Sequence, residues 1–168
     1  MPPDVPQPSA VRIRPLGSVE ESRACARIMC SSEPWLTLGR SYEDSLQILQ
    51  DPSREVYLAE DAQGLAGFLI LCLTGPFIGY IQTVCLAPDR RGQGIGTQLI
   101  AFAEERIGRV SPNVFLCVSS FNLRARQLYE RLGYEYIGEL KDYLVRGHSE
   151  LLYRKSRGPW FEFTPPAL

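Results

Sequence analysis

The sequence predicts an α/β fold: a three-layer α-β-α arrangement built on one mixed, mostly antiparallel sheet. Three observations carry this. Strand-like and helix-like patterns follow one another as β-α-α-β-β-β-α-β-α-β-β along 168 residues, a length that suits one domain with a sizeable core. Three consecutive strands are joined by short turns, which implies antiparallel neighbours. From Tyr80 to Ser119 a strand, a helix and a strand succeed each other, and such a unit closes as a right-handed parallel crossover with its helix on one face.

The opening "MPPDVPQPSA" carries four prolines and reads as a flexible arm over residues 1–10. It has neither a basic segment nor an apolar one, so it does not read as a secretory signal. "VRIR" alternates as a first strand. Ser18 caps a first helix, with Glu21 as its capping-box partner and Ala24, Cys25 and Ile28 on the apolar face. The break at "SSEPW" follows from Pro34, which disfavours helix at Glu33. A short second helix, "SYEDSLQILQ", ends before Pro52. "EVYLAED" and "LAGFLILCL" form a hairpin around Ala62-Gln63-Gly64, and "GYIQTVCLA" is the next strand, stopped by Pro88. Residues Ile95 to Ile107 carry Leu99, Ile100, Ala103 and Ile107 at helical core spacing. "NVFLCVSS" is nearly all apolar, as a strand covered on both faces is. Asn122 caps the helix "NLRARQLYERLG" and Gly133 ends it. "YEYIGEL" and "ELLYRK" close the sheet, and residues 157–168 form a tail.

Composition removes several function classes. With 45% hydrophobic residues and a net charge of -1, neither a disordered chain nor a nucleic-acid module is indicated. The longest apolar run, "LAGFLILCL", is far short of the ~20 residues of a membrane span. Five cysteines, an odd number without metal-type spacing, read as buried free thiols in a reducing, cytoplasmic setting. One histidine, His148, and scattered cysteines cannot build a zinc site, so no metal is expected.

The chemistry concentrates in "RRGQGIG". Gly92, Gly94 and Gly96 stand where a strand turns into a helix. The first N–H groups of a helix lack internal partners and carry the positive end of its dipole. Glycines let those groups touch an anion, and Arg90 and Arg91 add charged donors, so the loop suits a phosphate or pyrophosphate. A solvated flexible turn is the plain alternative. GxxxxGK[ST] is not matched, because no lysine precedes Thr97, and the GxGxG spacing is not the dinucleotide GxGxxG.

"VCLAPDRRGQGIGTQLI" resembles the acyl-coenzyme A signature of the GCN5-related N-acetyltransferase (GNAT) family, [RQ]xxGx[GA], with Arg91, Gly94 and Gly96 at its core. "NLRARQLYERLGYEYIG" resembles the same family's downstream motif through Asn122, Ala125, Leu128, Tyr129, Leu132, Gly133 and Tyr134. The resemblance spans about Val11 to Lys155. "LKDYLVRGHSELLYRK" further resembles the corresponding connection in ribosomal-protein-type N-terminal acetyltransferases.

The resemblance implies an N-acetyltransferase domain over residues 11–156, with acetyl-CoA as cosubstrate and a central parallel strand pair that splays apart. The pyrophosphate would meet Arg91, Gly92, Gln93, Gly94, Ile95, Gly96 and Thr97, and the pantetheine arm would run along Val84, Cys85 and Leu86. Tyr129 stands at the general-acid position, and Asn122 would contact the arm as well as cap its helix. A tyrosine of pKa about 10 can hydrogen-bond or protonate a thiolate as it leaves. Tyr129 would also serve as a core aromatic beside Leu128 and Leu132, although it lies about 100° from their shared face.

The family's two glutamate-base positions fall here on Tyr80 and Cys117, neither a carboxylate; Glu33 is the substitute, with a water chain as the alternative. A weakly basic site suits an α-amine better than a lysine, whose neutral form is scarcer by about 4.6 kcal/mol at pH 7 against about 1.4 for an α-amine. Trp35, Tyr42 and Tyr143 are expected near the acceptor, Trp35 also as a packing anchor. The reading is direct acetyl transfer to a primary amine, on a small molecule or on a peptide or protein N-terminus. No nucleic acid or membrane is expected as a partner, and a homodimer is left open. Rival readings are a different acyl group or acceptor, and a CoA-binding sensor or scaffold without catalysis. Cys85 and Cys117, in apolar strands without a neighbouring base, are expected to be inert.

Overall fold

A computed structural model describes residues 10–167. The proline-rich arm lies outside the described residues, apart from Ala10. Strands β1 (Arg12–Pro15), β2 (Arg54–Asp61), β3 (Gly64–Cys72), β4 (Tyr80–Leu86), β5 (Asn113–Ser119), β6 (Glu135–Leu140) and β7 (Glu150–Ser156) form one sheet in the order β1-β2-β3-β4-β5-β7-β6. Every neighbouring pair is antiparallel except β4 and β5. Helices α1 (Val19–Cys30) and α2 (Tyr42–Leu49) cover one face, while α3 (Ile95–Ile107) and α4 (Leu123–Arg131) lie over the other. The predicted element order and three layers are therefore observed. No helix among the described residues is long and apolar enough to cross a membrane.

Each face has its own core. Cys25, Ala26 and Met29 of α1 and Leu49 of α2 pack on Val56, Leu58, Phe68, Ile70 and Cys85. Leu99, Ile100, Ala103 and Ile107 of α3, none more than 1% exposed, pack on Leu69, Leu71, Ile81 and Leu116. The buried stripe of α1 is Ser22-Cys25-Ala26-Met29, rotated from the expected Ala24-Cys25-Ile28. The spacing i, i+3, i+4, i+7 puts Met29 under the sheet and leaves Ile28 at the margin.

The caps also differ in detail. Ser18 caps α1 by accepting from the Glu21 N–H at 3.2 Å, but Glu21 turns its carboxylate to the Gly17 N–H at 2.7 Å and to Arg14. A complete capping box occurs instead at Ser41 and Asp44 of α2. Cys25 and Cys85 are buried as expected, whereas Cys30, Cys72 and Cys117 are only half-buried; all five are free thiols.

Candidate active site

The site begins with a defect in the sheet. Strands β4 and β5 pair only at Tyr80↔Phe115 and Ile81↔Leu116. Beyond that point β4 continues to pair with β3 as far as Leu86 and β5 with β7 as far as Ser119. The two strands thus part, and the facing backbone groups of β4 from Gln82 onward have no strand partner on that side. Such an edge accepts an extended chain of amides.

Two cavities meet in the split. The larger, about 410 Å³, runs from Val84 and Leu86 to the start of α3. There Gly94 is the N-cap in the left-handed region (φ 78°), with no side chain capping the helix. Gly92 also has positive φ (75°). A Cβ at Gly96 would lie 3.6 Å from Leu86 and 4.0 Å from Leu128, ordinary contacts. The fold would therefore accept a methyl there, and the glycine keeps the cavity wall low. Arg91, Arg124 and Arg131 also line this cavity. It thus combines bare helix N–H groups with three guanidinium side chains, which is what a polyanionic group requires.

The smaller cavity, about 220 Å³, lies between the α1–α2 loop, the diverging strands and the β6–β7 loop. Pro34, Trp35, Val84, Asn122, Ala125 and Tyr129 line both cavities. Tyr129 is half-buried, and its hydroxyl enters no hydrogen bond among the described residues. Burial pushes its pKa up to about 12, so it keeps its proton at neutral pH.

The family model described as "Acetyltransferase (GNAT) family" matches residues 20–134. The chain belongs to the GNAT acetyltransferase family. No curated protein sequence matches it. Its fold is shared by solved structures of low sequence identity. An acetyltransferase from Thermus thermophilus aligns at 20% identity over 89% of this chain and 99% of that one, with a TM-score of 0.70. An N152L mutant of the spermidine N-acetyltransferase SpeG from Vibrio cholerae aligns at 20% over 88% and 94%, TM-score 0.67. An aminoglycoside 6'-N-acetyltransferase complexed with coenzyme A aligns at 16% over 88% and 98%, TM-score 0.70.

Most of the residues expected from the GNAT resemblance lie around the split, with differences. Arg91, Gly92, Gly94, Gly96, Thr97, Val84, Leu86, Asn122 and Tyr129 all line the larger cavity. Asn122 accepts from the Ala125 N–H at 3.2 Å, so capping and lining coexist. Ile95 is fully buried and offers only its backbone. Cys85 likewise points away, into the core under α1, where burial raises its thiol pKa strongly. The Gln93 side chain turns back, its amide donating to the Asp89 carbonyl at 3.1 Å.

Arg90, paired with Arg91 in the sequence reading, is not a site donor. It is 8% exposed and bridges Asp61 at 2.8 Å and Asp89, fixing the loop to the β2–β3 turn. Arg124 and Arg131, seven residues apart on α4, were missed; that spacing on one helix face was the available signal.

Glu33 stands at the larger cavity, exposed, with its carboxylate accepting from the Thr37 N–H at 3.2 Å. It is not among the residues around the smaller cavity. The carboxylate there is Glu150, 5% exposed. Its place follows from strand register: Glu150 opposes Ser119, whose hydroxyl donates to Oε1 at 2.6 Å. Burial raises the Glu150 pKa, and the serine hydrogen bond offsets only part of that. The sequence signal was a glutamate opening an apolar strand, "ELLYRK".

Tyr80 and Cys117 line the same pocket. Cys117 is thus not sealed in the core, yet desolvation raises its pKa and keeps it a thiol. Trp35 lines the pocket and also packs on the α1–α2 core, and Tyr143 lines the pocket from the β6–β7 loop. Tyr42 packs on that core but lies outside both cavities. His148 stacks edge-on against Phe121 at 5.0 Å, away from the pocket. No group of side chains suited to a metal ion occurs among the described residues.

Proposed function

We propose that this GNAT domain transfers an acetyl group from acetyl-CoA to a primary amine by direct attack in a ternary complex. The observation that carries the reading is the position of Tyr129 on the shared wall of two cavities that meet in a split sheet. The larger cavity fits the cosubstrate by its chemistry. The N-terminus of α3 and Arg91, Arg124 and Arg131 would hold the diphosphate, and the β4 edge at Val84 to Leu86 would pair with the amides of the arm. When bound, acetyl-CoA supplies an activated thioester carbonyl.

The smaller cavity takes the acceptor. Glu150 is the base, in place of Glu33, because it is the carboxylate inside that pocket. It removes one proton from the ammonium form, directly or through one water, to free the nitrogen lone pair. Its raised pKa brings it closer to that of an amine than an ordinary carboxylate would be. As the new C–N bond forms and the C–S bond breaks, Tyr129 donates a hydrogen bond to the departing sulfur, and the second proton that the nitrogen loses passes to that sulfur, so that amide and free thiol leave. Asn122 holds α4, and hence Tyr129, in place by capping it. A reading as a non-catalytic sensor drew its support from the missing base, and a carboxylate within the pocket removes that support.

The direct test is release of free thiol from acetyl-CoA with a panel of amines, following the acetylated product by mass. Amine-dependent thiol release with equimolar amide product is expected. Coenzyme A binding without turnover of any amine would overturn the reading.

A further inference from the structure

The acceptor pocket holds two opposite charges that do not serve one another. Glu150 sits at the strand end, held by Ser119. Arg40 comes from the α1–α2 loop and lines the same cavity. Neither is in an ion pair among the described residues. Burial raises the Glu150 pKa and the Ser119 hydrogen bond offsets part of that rise. Burial lowers the Arg40 pKa, with Asp44 opposing and Arg54 adding to the shift. Asp44 acts on Arg40 through space, without a salt bridge, while its own oxygens close the capping box with Ser41. Arg54, whose own partner is Asp51 at 3.2 Å, adds positive potential on the same side. Desolvating a guanidinium that no carboxylate hydrogen-bonds is unfavourable, so a pocket built this way suits a ligand that brings one.

We infer that the acceptor is a small amine that also bears a carboxylate, with its amine at Glu150 and Tyr129 and its carboxylate on Arg40. The inference rests on the proposed acetyl transfer and narrows its substrate class. It separates this chain from what the fold neighbours' names describe. Spermidine and aminoglycosides carry several positive charges, and a pocket with one carboxylate and an arginine outside any ion pair repels the second of them. A planar guanidinium also matches a carboxylate two bonds at a time. The neutral walls at Trp35, Leu38 and Leu144 leave the two charges as the features that orient the ligand.

The test compares amino acids and short peptides as free acids with the same compounds as primary amides, alongside spermidine. Thiol release is read for each, and in parallel the heat of binding to the CoA-saturated protein. Free acids are expected to exceed their amides at least tenfold in kcat/KM, with spermidine below both. Arg40→Gln collapses the acid-to-amide ratio at least tenfold through KM, while Arg40→Lys retains part of it. Turnover that favours amides or spermidine would overturn the inference and leave acetyl transfer standing. Acids that bind through Arg40 without being acetylated would sustain the carboxylate site alone and overturn both acetyl transfer and the assignment of the acceptor. Equal losses for acids and amides in Arg40→Gln, with circular dichroism unchanged, would also overturn it.

Discussion

Replacing Tyr129 by phenylalanine removes one atom from the junction of the two cavities. The hydroxyl has no hydrogen-bond partner among the described residues, so its loss orphans no other group. Its ring contacts remain, including the edge-on packing against Tyr134 at 5.8 Å. Folding stability should therefore hold, within about 0.5 kcal/mol. What is lost is a hydrogen bond to a sulfur that becomes negative only as the C–S bond breaks. A hydrogen bond to a charged group contributes about 1.5–3 kcal/mol, which converts to a fall of roughly 10–150-fold in kcat.

The raised pKa, about 12, refines this. A free thiol titrates near ~8.5, so complete proton transfer from Tyr129 would be uphill by about 5 kcal/mol in water-like surroundings. In the proposed mechanism Tyr129 is therefore mainly a donor that retains its proton through the bond-breaking step. The wild-type enzyme should accordingly lose no activity near pH 10 through this group. Steady-state thiol release for wild type and Tyr129→Phe, with melting curves for both, is the assay. An unchanged kcat, or a loss confined to KM, would refute the role.

Three further outcomes follow from the geometry. Glu150→Gln should lower kcat about 10²-fold or more and flatten the acid limb of kcat/KM, which in the wild type lies above the ordinary carboxylate value of 4.5. A carboxyl whose folded pKa is raised contributes stability below its unfolded value and loses it as pH rises through the folded one. Glu150→Gln should thus melt higher than wild type at pH 8, with the difference vanishing near pH 4; a lower Tm at pH 8 would count against it. Gly96→Ala should fold, because a Cβ meets only ordinary contacts at 3.6 and 4.0 Å, yet weaken acetyl-CoA binding severalfold by calorimetry. Gly67→Ala should do the reverse. A Cβ there would lie 2.4 Å from the Cys85 carbonyl, so denaturant melts should show a loss of about 1–3 kcal/mol, with cosubstrate affinity in the surviving folded protein near wild type.

Elements whose character is local were legible in the sequence. Helix α3 was read with its observed bounds because its core spacing and flanking glycines agree. The hairpin of β2 and β3 was read from its turn, where Gly64 has positive φ (108°) and Asp61 accepts from the Gln63 N–H. The glycine loop and Tyr129 were legible as motifs, since backbone freedom and helical spacing are written in consecutive residues.

What depends on distant pairing was not legible. Glu150 enters the smaller cavity only because β7 pairs with β5 in the register that sets it opposite Ser119, thirty-one residues away in sequence. Arg90 looked like the twin of Arg91 until Asp61, from another turn, claimed it. Arg40 acquires meaning only when the α1–α2 loop is laid over the split strands.

The central claim is that the split between β4 and β5, with the N-terminus of α3, seats coenzyme A so that its sulfur faces Tyr129. A crystal structure with coenzyme A tests this most directly. The account predicts the diphosphate against the α3 N-terminus near Gly94 and Gly96, the arm paired with β4 beside Val84, and the sulfur within hydrogen-bond reach of the Tyr129 hydroxyl. Coenzyme A bound elsewhere, or bound there with its sulfur turned away from Tyr129, would contradict it.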